Sequence, residues 1–222
     1  MAPWWLLFPQ RCAVCDMPGA PLCGRCRHRL VPLRPPVCAR CGAPGSWPVR
    51  RCVECAGRRL PFATARAAVV YDEVARRLVR VWKDGGRRDL AAVAAAIVAD
   101  VVGRPVADVL AAVPSDPERR RARGHAPAEM LAARLAVPWG VPVARLLRRT
   151  RRVDRQTGRS AEERRANVRG AFAATGPVPA AVCLVDDVYT TGATASSCAS
   201  ALRRAGAQRV EVVCFARTLR SG

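Results

Sequence analysis

Short apolar runs alternating with helical stretches over residues 66–215 predict an α/β fold, a parallel sheet with flanking helices. Four Cys-x-x-Cys pairs between residues 12 and 55 predict a small four-cysteine module in front of it. A third observation concerns ligands: the apolar run 180–185 leads through two carboxylates into a small-residue turn and then a helix, as at the carboxyl end of a parallel strand. A chain of 222 residues has room for one domain of ordinary size and a small module, and the expected division is 1–60 and 61–222.

The module comes first. Cys12/Cys15, Cys23/Cys26, Cys38/Cys41 and Cys52/Cys55 each hold two residues between their sulfurs, so both sulfurs of a pair can face one point, as in a zinc knuckle. Two such pairs make a tetrahedral site of four thiolates, which predicts two structural Zn²⁺ sites. Sequential pairing is preferred, with the first four cysteines on one ion and the last four on the other; a cross-braced arrangement is the alternative. Little apolar sequence lies between the pairs, so metal has to hold the module together, and losing it should leave the later domain standing. Disulfides belong to secreted chains, whereas a reducing cytoplasm favours thiolates on zinc. The opening residues 1–9 are apolar but short and lack a basic start, so they read as packing and not as a signal peptide. No run approaches the length of a membrane span, so no membrane insertion is expected and the cytoplasm is the expected location.

The later elements follow in order. Strands are expected at 66–71, 107–113, near 141–147, at 180–185 and at 209–215. Helices are expected at 72–82, 89–102, 126–135 and 195–205, the last stopped by Gly206. Cys183, Cys198 and Cys214 lie in apolar context and read as core packing. His28 and His125 read as surface residues.

The turn carries the chemistry. Helix amino ends offer unpaired N–H groups and a positive dipole pole, and Thr190, Thr191 and Thr194 add hydroxyl donors, which together suit a phosphate. Asp186 and Asp187 stand about a ribose ring away, where carboxylates accept hydrogen bonds from a vicinal diol. The segment Asp186-Asp187-Val188-Tyr189-Thr190-Thr191-Gly192-Ala193-Thr194 resembles the motif with which type I phosphoribosyltransferases bind 5-phosphoribosyl-1-pyrophosphate (PRPP). That resemblance implies Asp186 and Asp187 as catalytic residues, and both of them with Thr190, Thr191, Gly192, Ala193 and Thr194 as PRPP-binding residues. Purine-salvage members usually carry an Asp where this chain has Thr190, so no general base is offered to a purine there.

Further segments narrow the resemblance. Residues 113–125, Arg149-Thr150, Gln156, Glu163-Arg164, Asn167 and Phe172 are similar in order and spacing to the ComF family, also called GntX-like. The resemblance implies a double zinc ribbon before a type I phosphoribosyltransferase-like domain, PRPP or a related sugar phosphate as ligand, and Mg²⁺ bound with PRPP. It also implies a role in competence and DNA uptake or utilisation, with single-stranded DNA and a helicase-type protein as partners. Carried over residue by residue, it adds Pro114, Ser115, Arg123, Arg149 and Gln156 to the PRPP set. Where the family has Arg-Gly-Phe-Asn-Gln this chain reads Arg123-Gly-His-Ala-Pro127, which removes two amide side chains. Lys83 matches a lysine usual in the family and is the third catalytic candidate. It is the single Lys beside 37 Arg, which suggests that a compact ammonium is needed there.

Charge leaves two function classes open. The formal net charge is +21, and two four-thiolate zinc sites would lower it only to about +17, so the chain is a polycation with salt-sensitive attraction to polyanions. Residues 148–167 carry eight arginines without apolar periodicity and read as a mobile loop, a lid over the site or a grip on a nucleic-acid backbone. One class is an enzyme of pentosyl transfer using PRPP. The other is a non-catalytic binder of single-stranded nucleic acid that uses the sugar-phosphate site as a sensor or strand-end grip. Aromatics are 5% of the chain, which favours phosphate contacts over stacked bases.

Overall fold

The computed structural model describes residues 10–150 and 170–219. Its four-stranded sheet is wholly parallel, in the order β1 (Thr64–Val70), β6 (Arg209–Arg217), β5 (Ala181–Tyr189), β2 (Val109–Ala112). β6 shows why these runs are strands: Val210, Val212 and Cys214 point to one face, and Val213 and Phe215 to the other, the period of two that a sheet buried on both sides requires.

Helices cover both faces. On one lie α2 (Glu73–Asp84), α3 (Leu90–Val102) and α5 (Pro127–Trp139). α2 begins where the Asp72 carboxylate accepts from the Ala75 N–H at 2.9 Å, and it buries Val74, Leu78, Val79 and Trp82. α5 opens on Pro127 and ends at Gly140, whose φ of 60° a side chain would resist. The other face is covered by α6 (Ala193–Arg204), with the antiparallel pair of β3 (Leu147–Arg149) and β4 (Phe172–Ala174) beside it.

The two cysteine halves part company around this sheet. Cys12 and Cys26, the latter on the short α1 (Gly24–His28), share the core of α2, α3 and α5, whereas Cys38, Cys41 and Cys55 share the core of α6. Between them, Pro32 pairs antiparallel with Val69, so residues 31–33 cover the outer edge of β1 and cap its open ladder. Gly42 lies so close to β1 that a Cβ would overlap the Ala65 carbonyl oxygen. The module is thus held by apolar packing on the domain as well as by its cysteines.

Several sequence expectations need correction. The strand expected near 141–147 is a single parallel bridge of Val143 to Leu110, because Pro142 has no N–H to continue the ladder, and pairing resumes only in β3. β5 does not stop at 185 but runs through both aspartates to Tyr189, still paired with β6. Residues 117–123, for which the sequence predicts no element, form the short helix α4 (Pro117–Arg123), capped by the Asp116 carboxylate on the Glu118 and Arg119 N–H groups. His125 is buried at 7% exposure, with its ring nitrogens 2.9 and 2.8 Å from the Arg123 and Trp82 carbonyl oxygens.

Candidate functional site

The carboxyl ends of β5 and β2 meet at the motif. The Val113 N–H donates to the Val185 carbonyl at 2.9 Å, which sets Pro114, Ser115 and Asp116 beside Asp186 and Asp187. The Asp186 carboxylate accepts from the Asp187 N–H at 2.9 Å. Asp187 in turn holds Lys83, from the last turn of α2, at 2.7 Å, with the two side chains 13% and 17% exposed. A hydrogen-bonded pair so far from water interacts more strongly than a surface pair. Of the three catalytic candidates, Lys83 and Asp187 are thus brought into contact, with Asp186 next along the strand.

The turn itself is tight. Thr190 is exposed, Thr191 is buried with its hydroxyl accepting from the Ala193 N–H, and Thr194 lies in the first turn of α6. Gly192 has φ 72°, and a Cβ there would overlap the Tyr189 phenol oxygen, so a glycine is demanded twice over. The remaining candidates divide. Arg123 pairs with Asp84 at 2.8 Å, next to Lys83, while Arg149 lies 3.9 Å from Asp116 and stacks over Phe172 at 5.1 Å. Gln156 and the arginines of 151–165 lie outside the described residues.

Behind the turn stands a network that sequence reasoning missed. Arg217, at 2% exposure, donates to the Cys41 carbonyl at 2.5 Å and to Glu54 at 2.6 Å, and lies 4.8 Å over the Tyr189 ring. Its Nη2 is also 4.0 Å from the Cys41 Sγ, so it places a positive charge against the second cysteine cluster. Arg58 completes the link by donating to the Thr191 carbonyl at 3.0 Å. The one available signal was a charged residue continuing the apolar run of β6.

The cysteines form two clusters, Cys12, Cys15, Cys23, Cys26 and Cys38, Cys41, Cys52, Cys55, each with its four Sγ atoms within 4.8 Å of one another. Sequential pairing is therefore the arrangement found. The Cys15–Cys23 and Cys38–Cys55 sulfurs are 3.7 Å apart, close to the roughly 3.8 Å edge of a tetrahedron with Zn–S bonds of about 2.3 Å. Both clusters fit structural zinc. Burial raises the thiols of Cys12 and Cys38, but backbone N–H donors from Cys23, Cys15 and Val14, and from Cys41, Arg40 and Cys52, outweigh it and bring both down to about 6. Each cluster thus contains a ready thiolate.

Comparison with known proteins agrees with this architecture. Residues 4–58 match the double zinc ribbon domain family. The chain is 31% identical over 227 residues to DNA utilization protein YhgH of Salmonella typhi, covering 96% of this chain and 100% of the relative. It is 26% identical over 208 residues to competence protein F of Haemophilus influenzae, covering 88% and 90%. A solved glutamine PRPP amidotransferase from B. subtilis, complexed with ADP and GMP, aligns over 58% of this chain and 26% of its own at 25% identity, but a TM-score of 0.37 is too loose a likeness to carry function. Among the described residues, no helix is long and apolar enough to cross a membrane.

Proposed function

We propose that this chain, which belongs to the family of DNA utilization protein YhgH and competence protein F, binds PRPP or a related sugar phosphate at the turn after β5 and acts on DNA taken up by the cell. The carrying observation is the Lys83–Asp187 pair beside Asp186 at the end of β5, followed at once by the Thr191–Gly192 turn at the amino end of α6. In this reading Asp186 and Asp187 accept the ribose hydroxyls. The N–H groups of the turn, with the hydroxyls of Thr190, Thr191 and Thr194, hold the 5′-phosphate. Pro114 and Ser115 present backbone and hydroxyl groups to pyrophosphate, with Arg123, Arg149 and Gln156 adding donors. Mg²⁺, a hard cation that travels with pyrophosphate, would supply charge neutralisation beside the two carboxylates. Lys83 steadies Asp187 and adds a positive charge where the leaving pyrophosphate forms, which is the group an enzyme of phosphoribosyl transfer needs. Reduced thiolates in both clusters suit a cytoplasmic home.

Calorimetry with PRPP and Mg²⁺ tests the site without an acceptor in hand. The wild-type chain should bind, and Asp186→Asn with Asp187→Asn should weaken binding by about 1.5–3 kcal/mol for each charge-assisted bond lost. Equal affinity in the double variant would refute the assignment. The polycationic charge favours a second reading, in which the same site senses a nucleotide or strand end without turnover. Release of pyrophosphate from PRPP in the presence of nucleobases or single-stranded DNA separates the two, since only the enzyme liberates it.

A further inference from the structure

A second cleft, of about 380 Å³, opens between the end of the cysteine module and the outer face of α6. That volume is in the range of small-ligand sites. Arg58 and Arg59, which follow Cys55, form one wall; Ser196, Ser200 and Arg204 form the other, and Leu60 and Pro61 make an apolar floor. The wall on α6 is a stripe, because residues four apart share a helix face. No carboxylate lines the cleft among the described residues.

The side chains here are not used up by the fold. Arg58 is tied to the Glu54 and Thr191 carbonyls, whereas Arg59 and Arg204 are exposed and have no hydrogen-bond or ion-pair partner among the described residues. The Ser196 Oγ is out of contact with solvent yet lacks a hydrogen-bond partner. A helical serine ordinarily returns its hydroxyl to the carbonyl four residues back, so the Ser196 hydroxyl, just beneath the cleft wall, has its donor capacity unspent. A merely solvated arginine face needs neither the concavity nor the orphaned hydroxyl.

We propose that this cleft is a second phosphate-ester site, adjoining the turn after β5 through Ala193, in which Arg59 and Arg204 fork the oxygens, Ser200 and, on turning about its χ1, Ser196 donate to them, and the apolar floor meets the sugar. Three guanidinium groups and two hydroxyls offer more donors than a carboxylate has lone pairs to accept, so a tetrahedral oxyanion is the better match. Arg58 touches both this cleft and the Thr191 carbonyl, which puts an occupant against the back of the turn. The cysteine module thereby gains a role beyond folding: it supplies one wall of an anion site. The inference does not require PRPP to bind; it shares with the proposed function only the expectation that nucleotides or strands are what the protein meets.

The test uses the full zinc-loaded chain and two probes that carry the same ester, thymidine monophosphate and a short oligothymidylate. Arg59→Ala with Arg204→Ala should lower oligothymidylate affinity about tenfold at low salt and flatten the slope of log affinity against log salt by about 1.4, for two phosphate contacts. The charge-matched pair Arg80→Ala with Arg134→Ala, on the exposed faces of α2 and α5, should change it far less. Loss confined to thymidine monophosphate identifies a free nucleotide as the occupant and equally supports the site. Ser200→Asp, which keeps every arginine but adds a like charge, should exclude either probe. Equal losses in the two arginine pairs, or wild-type affinity for both probes in both cleft variants, would overturn the proposal. PRPP titration distinguishes the two sites: it should be unchanged in the cleft variants, and a parallel fall would merge the cleft with the turn and also overturn it.

Discussion

Lys83 reaches a carboxylate 104 residues further along the chain, and the geometry explains why an ammonium was kept there. A single Nζ sits 2.7 Å from one Asp187 oxygen in a space largely closed to water, where a planar guanidinium fork would need a second acceptor and more room. Lys83→Met would leave Asp187 mostly buried and unpaired, at a cost of about 3 kcal/mol, which a denaturant melt can read. Lys83→Arg should recover part of that loss, because charge is restored without the fit. If Lys83→Met melts like the wild type, the pair is not a structural tie. Lys83 and both aspartates were legible from residue type and local order. Their contact was not, since nothing in either segment encodes the other.

The turn between β5 and α6 and the two cysteine loops are elements whose local sequence suffices to specify them. Gly192 is fixed by its φ of 72°, and each Cys-x-x-Cys by the reach of two thiolates to one centre. The cysteine loops also carry a pH dependence. The thiols of Cys12 and Cys38 fall from 9.0 to about 6, so their folded values lie below the unfolded ones. The contribution of these two thiols to stability is therefore fully present above pH 9.0 and is lost as pH falls through about 6, whereas burial raises Cys26, Cys41 and Cys55, whose contribution is lost instead as pH rises. Zinc needs the thiolates, so bound metal should stay in place at neutral pH and be released between about pH 6 and 4, followed with a chromogenic chelator. Release complete already at pH 7 would argue against four-thiolate sites. α4 was missed because seven residues with no buried face give no periodicity; only the Asp116-Pro117 cap announces it.

Across the molecule the cysteine halves grip opposite faces of one sheet, and this changes what metal loss should do. Removing zinc with a chelator should lower the melting temperature of the whole chain and speed hydrogen exchange in β1 and β6, because Cys12 and Cys26 share one core and Cys38, Cys41 and Cys55 the other. An unchanged melting of the α/β part would show that the module is an independent unit, as sequence alone led us to expect. The second cluster has the more direct route to the turn after β5, through Arg217 to Tyr189 and through Arg58 to Thr191. Residues flanking that cluster also form the wall of the second cleft.

The α/β class, the eight zinc ligands, the strand–turn–helix of the motif and the single lysine could all be read from the chain alone, because each depends on spacing within a few residues or on alternation along one segment. The Lys83–Asp187 pair, the Arg217–Glu54 link and the cleft beside α6 could not, and only the structure decided between the preferred sequential zinc pairing and the cross-braced alternative. They depend on which distant segments share a sheet face, and that is set by the burial of apolar side chains over the whole fold.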